Sequence, residues 1–209
     1  MQHARISRGR DLCCSSISGV LSFFMDQLLS SFILILLAEM GDKTQLLSII
    51  LAARYKKFWP IFFGISAATV LNHALAAYAG FWLQGVIGAG IMQTATAVIF
   101  ILLGIWMLVP DKAPQTKEAA PKYGVFLTSL IIFFLAEMGD KTQVATIMLG
   151  AKYDASIFII AGTTLGMMAA NAPAILCGEM LMRKLPLKTL RVISSLLFIG
   201  FGVMQLCCQ

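Results

Sequence analysis

The sequence predicts an all-α integral membrane protein whose six transmembrane helices form two inverted three-helix repeats. Three observations support this fold class: an apolar composition, continuous apolar runs of membrane-spanning length, and one motif that occurs twice. Of the 209 residues, 59% are hydrophobic and 12% are charged, and the mean hydropathy is +0.85. Soluble domains are about 45–50% apolar and about 25% charged. A chain this short cannot bury so much apolar surface in one globular core, which excludes a soluble enzyme, a disordered chain and a collagen-like chain.

The apolar runs predict helices rather than strands. A transmembrane helix needs about 20 apolar residues, whereas strands of a membrane barrel alternate apolar and polar residues over about 10. The predicted spans are 27–51, 58–83, 91–109, 124–149, 155–180 and 188–207. The first three spans form a repeat at 25–109 and the last three form a repeat at 124–209. A polar, proline-containing linker at 110–123 separates the two.

Residues 1–24 stand apart from this pattern. They contain Arg5, Arg8 and Arg10 and lack the long apolar segment of a secretory signal. We expect them to be an N-terminal extension produced by a mis-assigned start, with Met25 as the natural first residue. The alternatives are a cytoplasmic tail and a weak targeting segment.

The two halves of the chain repeat each other at an offset of 98 residues. The motif AEMGDKTQ occupies 38–45 and again 136–143, and the same offset relates Gly64 to Gly162. With three spans in each repeat, the second repeat must lie inverted relative to the first. Inverted repeats are typical of secondary transporters, whose binding sites lie near the bilayer midplane where the repeats meet.

The basic residues predict the orientation. Lysines and arginines concentrate in the loops at 52–57, 110–123 and 183–191, while the other connections contain only Lys152. Cytoplasmic loops carry such an excess, so these three loops are expected in the cytoplasm and both ends of the six-helix core outside. This distribution also explains the net charge of +6 without a nucleic-acid partner.

Four carboxylates lie inside predicted spans, where each costs at least about 2.5 kcal/mol on insertion scales. They are Glu39, Asp42, Glu137 and Asp140. Glu and Asp at i and i+3 share one face of a helix, and inverted symmetry turns the two pairs toward each other. Four carboxylates around one point form a site of hard oxygen ligands, suited to Mn²⁺, Ca²⁺ or Mg²⁺.

The rest of each motif can support such a site. The glycine weakens the helix, and the neutral oxygens of the threonines and glutamines could join the ion's ligands. Each lysine lies four residues after its glutamate, a spacing suited to an ion pair. The supporting residues are Lys43, Thr44, Gln45, Lys141, Thr142 and Gln143. Four carboxylates and two lysines leave a charge of −2, which one divalent cation or two protons neutralise. The structural alternative is a pair of buried salt bridges that fix helix packing.

The doubled motif EMGDKTQ resembles the E-x-G-D-[KR]-[TS] signature of a family of small six-helix manganese/calcium transporters. That family has Golgi and plastid members and bacterial manganese exporters, and the resemblance covers residues 25–209. It implies secondary transport of Mn²⁺ or Ca²⁺, with proton exchange expected, in a bacterial inner membrane. Position by position, it implies that Glu39, Asp42, Glu137 and Asp140 bind the ion.

Other polar residues and other functions stay open. Asn72 and Asn171 lie in the middle of equivalent spans, and His73 is a candidate proton relay. Each is a gate or supporting residue, or else forms a packing contact between helices. The competing functions are a passive divalent-cation channel and a small-solute exporter. We expect no enzymatic activity and no cofactor; the expected partners are the metal ion as substrate, protons and the lipid bilayer.

Overall fold

The computed structural model describes residues 23–109, 124–153, 156–177 and 186–207. These ranges are helical and contain no strand. The helices are α1 (Phe23–Glu39), α2 (Lys43–Tyr55), α3 (Phe58–Ile87), α4 (Ala89–Met107), α5 (Gly124–Glu137), α6 (Lys141–Lys152), α7 (Ile157–Cys177) and α8 (Leu187–Cys207). The predictions for the N-terminal extension, the linker at 110–123 and the first part of the 183–191 loop lie outside the described residues.

Length and composition qualify several of these helices as membrane spans. Four of them, α3, α4, α7 and α8, are each long and apolar enough to cross a bilayer. A fifth span results if α1 and α2, which meet at an angle of 70°, are counted together. Helix α5 is apolar but has only 14 residues. The described chain is therefore an all-helical membrane protein with four or five candidate spans.

The prediction of continuous helices through both motifs is wrong. Helix α1 ends at Glu39 and α2 begins at Lys43, and the second motif breaks in the same way between α5 and α6. Gly41 and Gly139 have φ angles of 85° and 79°, a left-handed conformation that side chains with a Cβ disfavour. Each motif therefore forms a turn between two half-length helices, and Glu39 and Asp42 do not share a face of one helix.

Small residues let the helices pack closely. Helix α3 packs against α5, α6 and α7, while α4 packs mainly against α8. A Cβ added at Gly64 would lie 2.6 Å from the carbonyl oxygen of Phe126. Close backbone approach at glycine is common between membrane helices. The outward surface carries exposed apolar side chains such as Leu75 and Trp82, as a lipid-facing surface requires.

Candidate metal centre

The two helix breaks bring acids of both motifs together. Glu39 ends α1, and Asp42 and Asp140 precede the first turns of α2 and α6. One carboxylate oxygen from each of these three residues lies within 4.8 Å of the other two, and all three residues are buried. Glu137 ends α5 and is also buried, but it lies outside this group of three. Carboxylates grouped at such distances can share one divalent cation as oxygen ligands.

The threonines of the motifs hold the glutamates. Thr44 Oγ1 donates a hydrogen bond to Glu39 Oε2, and Thr142 Oγ1 donates one to Glu137 Oε2 at 3.2 Å. The second oxygen of each glutamate, Oε1, is buried and has no hydrogen-bond partner within the described residues. A buried carboxylate oxygen without a donor is costly, and a bound cation or proton would satisfy it.

The glutamines of the motifs stabilise the turns. Gln45 Oε1 accepts a hydrogen bond from the Gly41 backbone N–H at 2.9 Å, and Gln143 Oε1 accepts one from the Gly139 N–H at 2.6 Å. These N–H groups have lost their helical acceptors, and at membrane depth they require another. The sequence suggested the glutamine oxygens as further ligands of the ion, whereas both Oε1 atoms accept hydrogen bonds from the turns.

The lysines also depart from the prediction. Neither lysine lies one helical turn above its glutamate, because the break places the glutamate at the end of one helix and the lysine at the start of the next. Lys43 Nζ instead pairs with Asp140 Oδ1 at 3.1 Å, across the two repeats. Lys141 Nζ donates to the carbonyl oxygen of Val109 at 3.4 Å and lies 5.8 Å from the centre of the Trp106 ring. The lysine of the first motif therefore joins the two repeats instead of pairing with its own glutamate.

The asparagines join the broken helices to their neighbours. Asn72 Nδ2 donates to the carbonyl oxygen of Phe134, in the last turn of α5, at 3.1 Å. Asn171 Oδ1 accepts from Ser48 Oγ at 2.7 Å, which joins α7 to α2. Gln45 Nε2 strengthens that contact by donating to the carbonyl oxygen of Ala170 at 3.0 Å. The buried His73 has no hydrogen-bond partner for either ring nitrogen among the described residues.

Sequence reasoning missed the contribution of α8. A cavity of about 10 Å³ beside Asp42 is lined in part by Arg191 and Ser194 of that helix. Ser194 Oγ donates to the carbonyl oxygen of Leu37, near the end of α1, at 2.6 Å. The only sequence signal was a serine within an apolar helix. Its partner lies 157 residues away in the chain, so the spacing could not reveal the contact.

A match to a family of transport proteins agrees with this geometry. The model of the family described as "Divalent cation/proton antiporter GDT1" matches residues 27–115 and 125–208. The chain belongs to the GDT1 family. The resemblance drawn from the doubled motif is thereby confirmed. GDT1 proteins are cation antiporters, not a family of enzymes.

Curated relatives of this GDT1 chain come from bacteria and plants. A Vibrio cholerae protein named "Putative manganese exporter" is 45% identical over 176 residues, which cover 84% of this chain and 88% of the relative. The Arabidopsis thaliana GDT1-like protein 3 is 29% identical over 85% of this chain and 69% of its own length. A GDT1-like protein of Synechocystis is 28% identical over 84% of this chain and 94% of its own length. No solved structure matches the chain.

The glycine of the second GDT1 motif provides a test of the helix break. In the part of the chain that the structure describes, no atom lies within 4 Å of a Cβ added at Gly139, so the cost of Gly139→Ala comes from the left-handed backbone, about 1–2 kcal/mol. We expect the midpoint of thermal unfolding in detergent to fall by roughly 2–8 °C, since 1 kcal/mol corresponds to about 2–4 °C in a chain of this size.

The matched control is Gly200→Ala, within α8. No atom of the described residues lies within 4 Å of a Cβ added at Gly200, and its φ is not positive. The gain in helix propensity should therefore leave stability unchanged or higher. Equal midpoints for the two variants would contradict a left-handed turn at Gly139.

Proposed function

We propose that this chain is a secondary active exporter that exchanges Mn²⁺, or Ca²⁺, for protons at a site near the bilayer midplane. The site consists of Glu39, Asp42, Glu137 and Asp140. The observation that carries the proposal is the buried group of Glu39, Asp42 and Asp140, which draws carboxylates from both motifs to within 4.8 Å. Helices α1 and α5 end at this point, where their C-terminal ends favour a cation, and α2 and α6 begin there, where their N-terminal ends favour the carboxylates that would bind it.

Reciprocal contacts support an inverted repeat. A Cβ at Gly64 would lie 2.6 Å from the Phe126 carbonyl oxygen, and one at Gly162 would lie 2.5 Å from that of Leu28. Adding 98 to Gly64 and Leu28 gives Gly162 and Phe126. Helix α3 of the first half therefore packs on α5 of the second half as α7 packs on α1. A two-fold relation between two three-helix units produces this reciprocity.

The domain division and the topology follow from that relation. The proposed repeats are 25–109 and 124–209, joined by a cytoplasmic linker at 110–123 and preceded by the extension at 1–24. In this arrangement, α1 with α2 and α5 with α6 are two broken spans, which brings the total to six. The positive-inside rule places both ends of the core outside, and the Vibrio relative favours a bacterial inner membrane.

The exchange follows from charge and competition. Fully ionised, the four acids and the two motif lysines carry a charge of −2, which is unfavourable at membrane depth. One divalent cation or two protons restores neutrality. A cation that binds Glu39, Asp42 and Asp140 also competes with Lys43 Nζ, which lies 3.1 Å from Asp140 Oδ1. Among the described residues, Glu39 Oε1 and Glu137 Oε1 have no hydrogen-bond partner, so a cation or a proton bound to these atoms would be stabilised most.

Reconstituted vesicles test the proposal. With the purified chain in liposomes and an imposed pH gradient, we expect Mn²⁺ flux that follows the gradient and moves protons in the opposite direction. The fluxes of Ca²⁺ and Mg²⁺ in vesicles prepared in the same way measure the ion selectivity. Liposomes without protein give the background flux. Metal flux that leaves the internal pH unchanged would contradict proton exchange and indicate a passive channel. The absence of flux for all three ions would reject metal transport.

A further inference from the structure

A polar cavity of about 270 Å³ lies far from the acids, where α3, α6 and α8 end and α4 begins. Its polar lining comes from four helices: Gln84, Gln93, Thr96, Lys152 and Gln205. No described lining residue is a carboxylate. Amide, hydroxyl and ammonium groups make this lining hydrophilic at one end of an apolar bundle, and a cavity that is both polar and roomy can hold water.

The repeat relation connects this cavity to the acids. Adding 98 to Gln93 and Thr96 gives Arg191 and Ser194, and subtracting 98 from Gln205 gives Met107. Those three equivalents line the small cavity beside Asp42. The two cavities therefore lie on equivalent surfaces of the α4–α8 pair, at opposite ends of the bundle.

The α4–α8 pair is itself symmetric. A Cβ at Gly104 would lie 2.8 Å from the Ser195 carbonyl oxygen, and one at Gly202 would lie 2.6 Å from that of Ala97. These two contacts map onto each other at the offset of 98. The surroundings of the pair are not symmetric: Ser194 contacts Leu37, which is half-buried, whereas Leu135, the equivalent of Leu37, is 62% exposed.

We infer that the glutamine-lined cavity is the extracytoplasmic vestibule through which the divalent cation leaves, an inference that rests on the proposed function and topology. On the cytoplasmic side, the equivalent surface of the α4–α8 pair borders only the cavity of about 10 Å³ beside Asp42. Amide and hydroxyl oxygens are weak, hard ligands that suit a hydrated divalent cation in passage. Lys152 Nζ lies 4.4 Å from the centre of the Phe201 ring and 5.0 Å from that of Tyr153. At this position, the positive charge of Lys152 repels a departing cation and keeps the cation from binding in the vestibule.

Reversing the charge of Lys152 tests its role. In Lys152→Glu, extracytoplasmic Mn²⁺ should inhibit efflux at a concentration at least about tenfold lower, because a change of two charge units acts on a divalent ion a few ångströms away. Lys152→Gln should show a smaller shift in the same direction. Neither variant should change the cytoplasmic Mn²⁺ concentration that gives half-maximal efflux. Lys188→Glu, at the opposite end of the bundle, is the control. If extracytoplasmic Mn²⁺ inhibits the native chain and the three variants equally, Lys152 does not have this role.

Thiol accessibility tests the vestibule independently of transport. Thr96 is 1% exposed, so Thr96→Cys can react only through the cavity. In a chain whose own cysteines (Cys13, Cys14, Cys177, Cys207 and Cys208) are replaced by alanine, we expect a charged methanethiosulfonate to label Thr96→Cys from the extracytoplasmic side. Val98→Cys, on an exposed part of the same helix, should resist the charged reagent because it faces lipid.

The outcomes separate the two proposals. If Thr96→Cys reacts only from the cytoplasm or not at all, while the native chain still exchanges Mn²⁺ for protons, the vestibule is wrong and the proposed function stands. If Thr96→Cys reacts as expected but the native chain moves no metal, the vestibule is an access path for another solute. The assignment to a divalent cation then fails.

Discussion

Glu39→Gln and Asp140→Asn are each expected to lower Mn²⁺ transport at least about 100-fold, because the number of charged ligands tunes the affinity of such sites over orders of magnitude. Both substitutions preserve shape and remove one charge from the group of three acids. Insertion into the membrane should remain normal, since a neutral amide is less costly there than a carboxylate. The measurement is initial flux into vesicles, normalised to the amount of folded protein.

The control is Asp26→Asn, which makes the same kind of change at an exposed position on α1, the helix that carries Glu39. This substitution removes a carboxylate that is not part of the group of three acids, so the Mn²⁺ flux of the variant should equal that of the native chain. Native flux in Glu39→Gln or Asp140→Asn would place the metal site elsewhere. Equal losses in all three variants would indicate a general effect of charge on folding or insertion.

The sequence predicted that acids of both motifs lie close together, and three of the four named acids do, but it did not predict the backbone that brings them there. The doubled motif and the odd number of spans were enough to expect acids of the two halves in one place, and Glu39, Asp42 and Asp140 lie there. The helix breaks escaped prediction because a glycine within an apolar run is compatible with a continuous helix. Its positive φ at Gly41 depends on a side chain, that of Gln45, accepting the displaced N–H.

The contacts between halves could not be predicted from spacing within one helix. The ion pair of Lys43 with Asp140 and the hydrogen bond of Ser194 to Leu37 join residues about 100 or more positions apart in the chain. Local rules favoured a pair between Lys43 and Glu39, because they assume an unbroken helix between the two. Once the chain turns at Gly41, the lysine enters α2 and the nearest available carboxylate belongs to the other motif.

Metal binding in detergent is expected to weaken steeply as the pH falls, because protons and the divalent cation compete for the same carboxylate oxygens. If each bound ion displaces two protons, apparent affinity should change by about 100-fold per pH unit over the range in which the acids take up protons, and by about tenfold if it displaces one. The measurement is Mn²⁺ affinity from about pH 5.5 to about pH 8.5, with proton release recorded in weakly buffered solution. The number of protons released should match the slope of log affinity against pH.

The double variant Glu137→Gln, Asp140→Asn locates the protons. With two carboxylates gone, a site that retains Lys43 and Lys141 no longer needs protons for neutrality, so both proton release and the pH slope should disappear along with tight binding. A pH slope that persists in this variant would assign the protons to another group. The buried His73, whose ring nitrogens have no hydrogen-bond partner among the described residues, would be tested next through His73→Gln. An affinity independent of pH in the native chain would contradict proton exchange at this site.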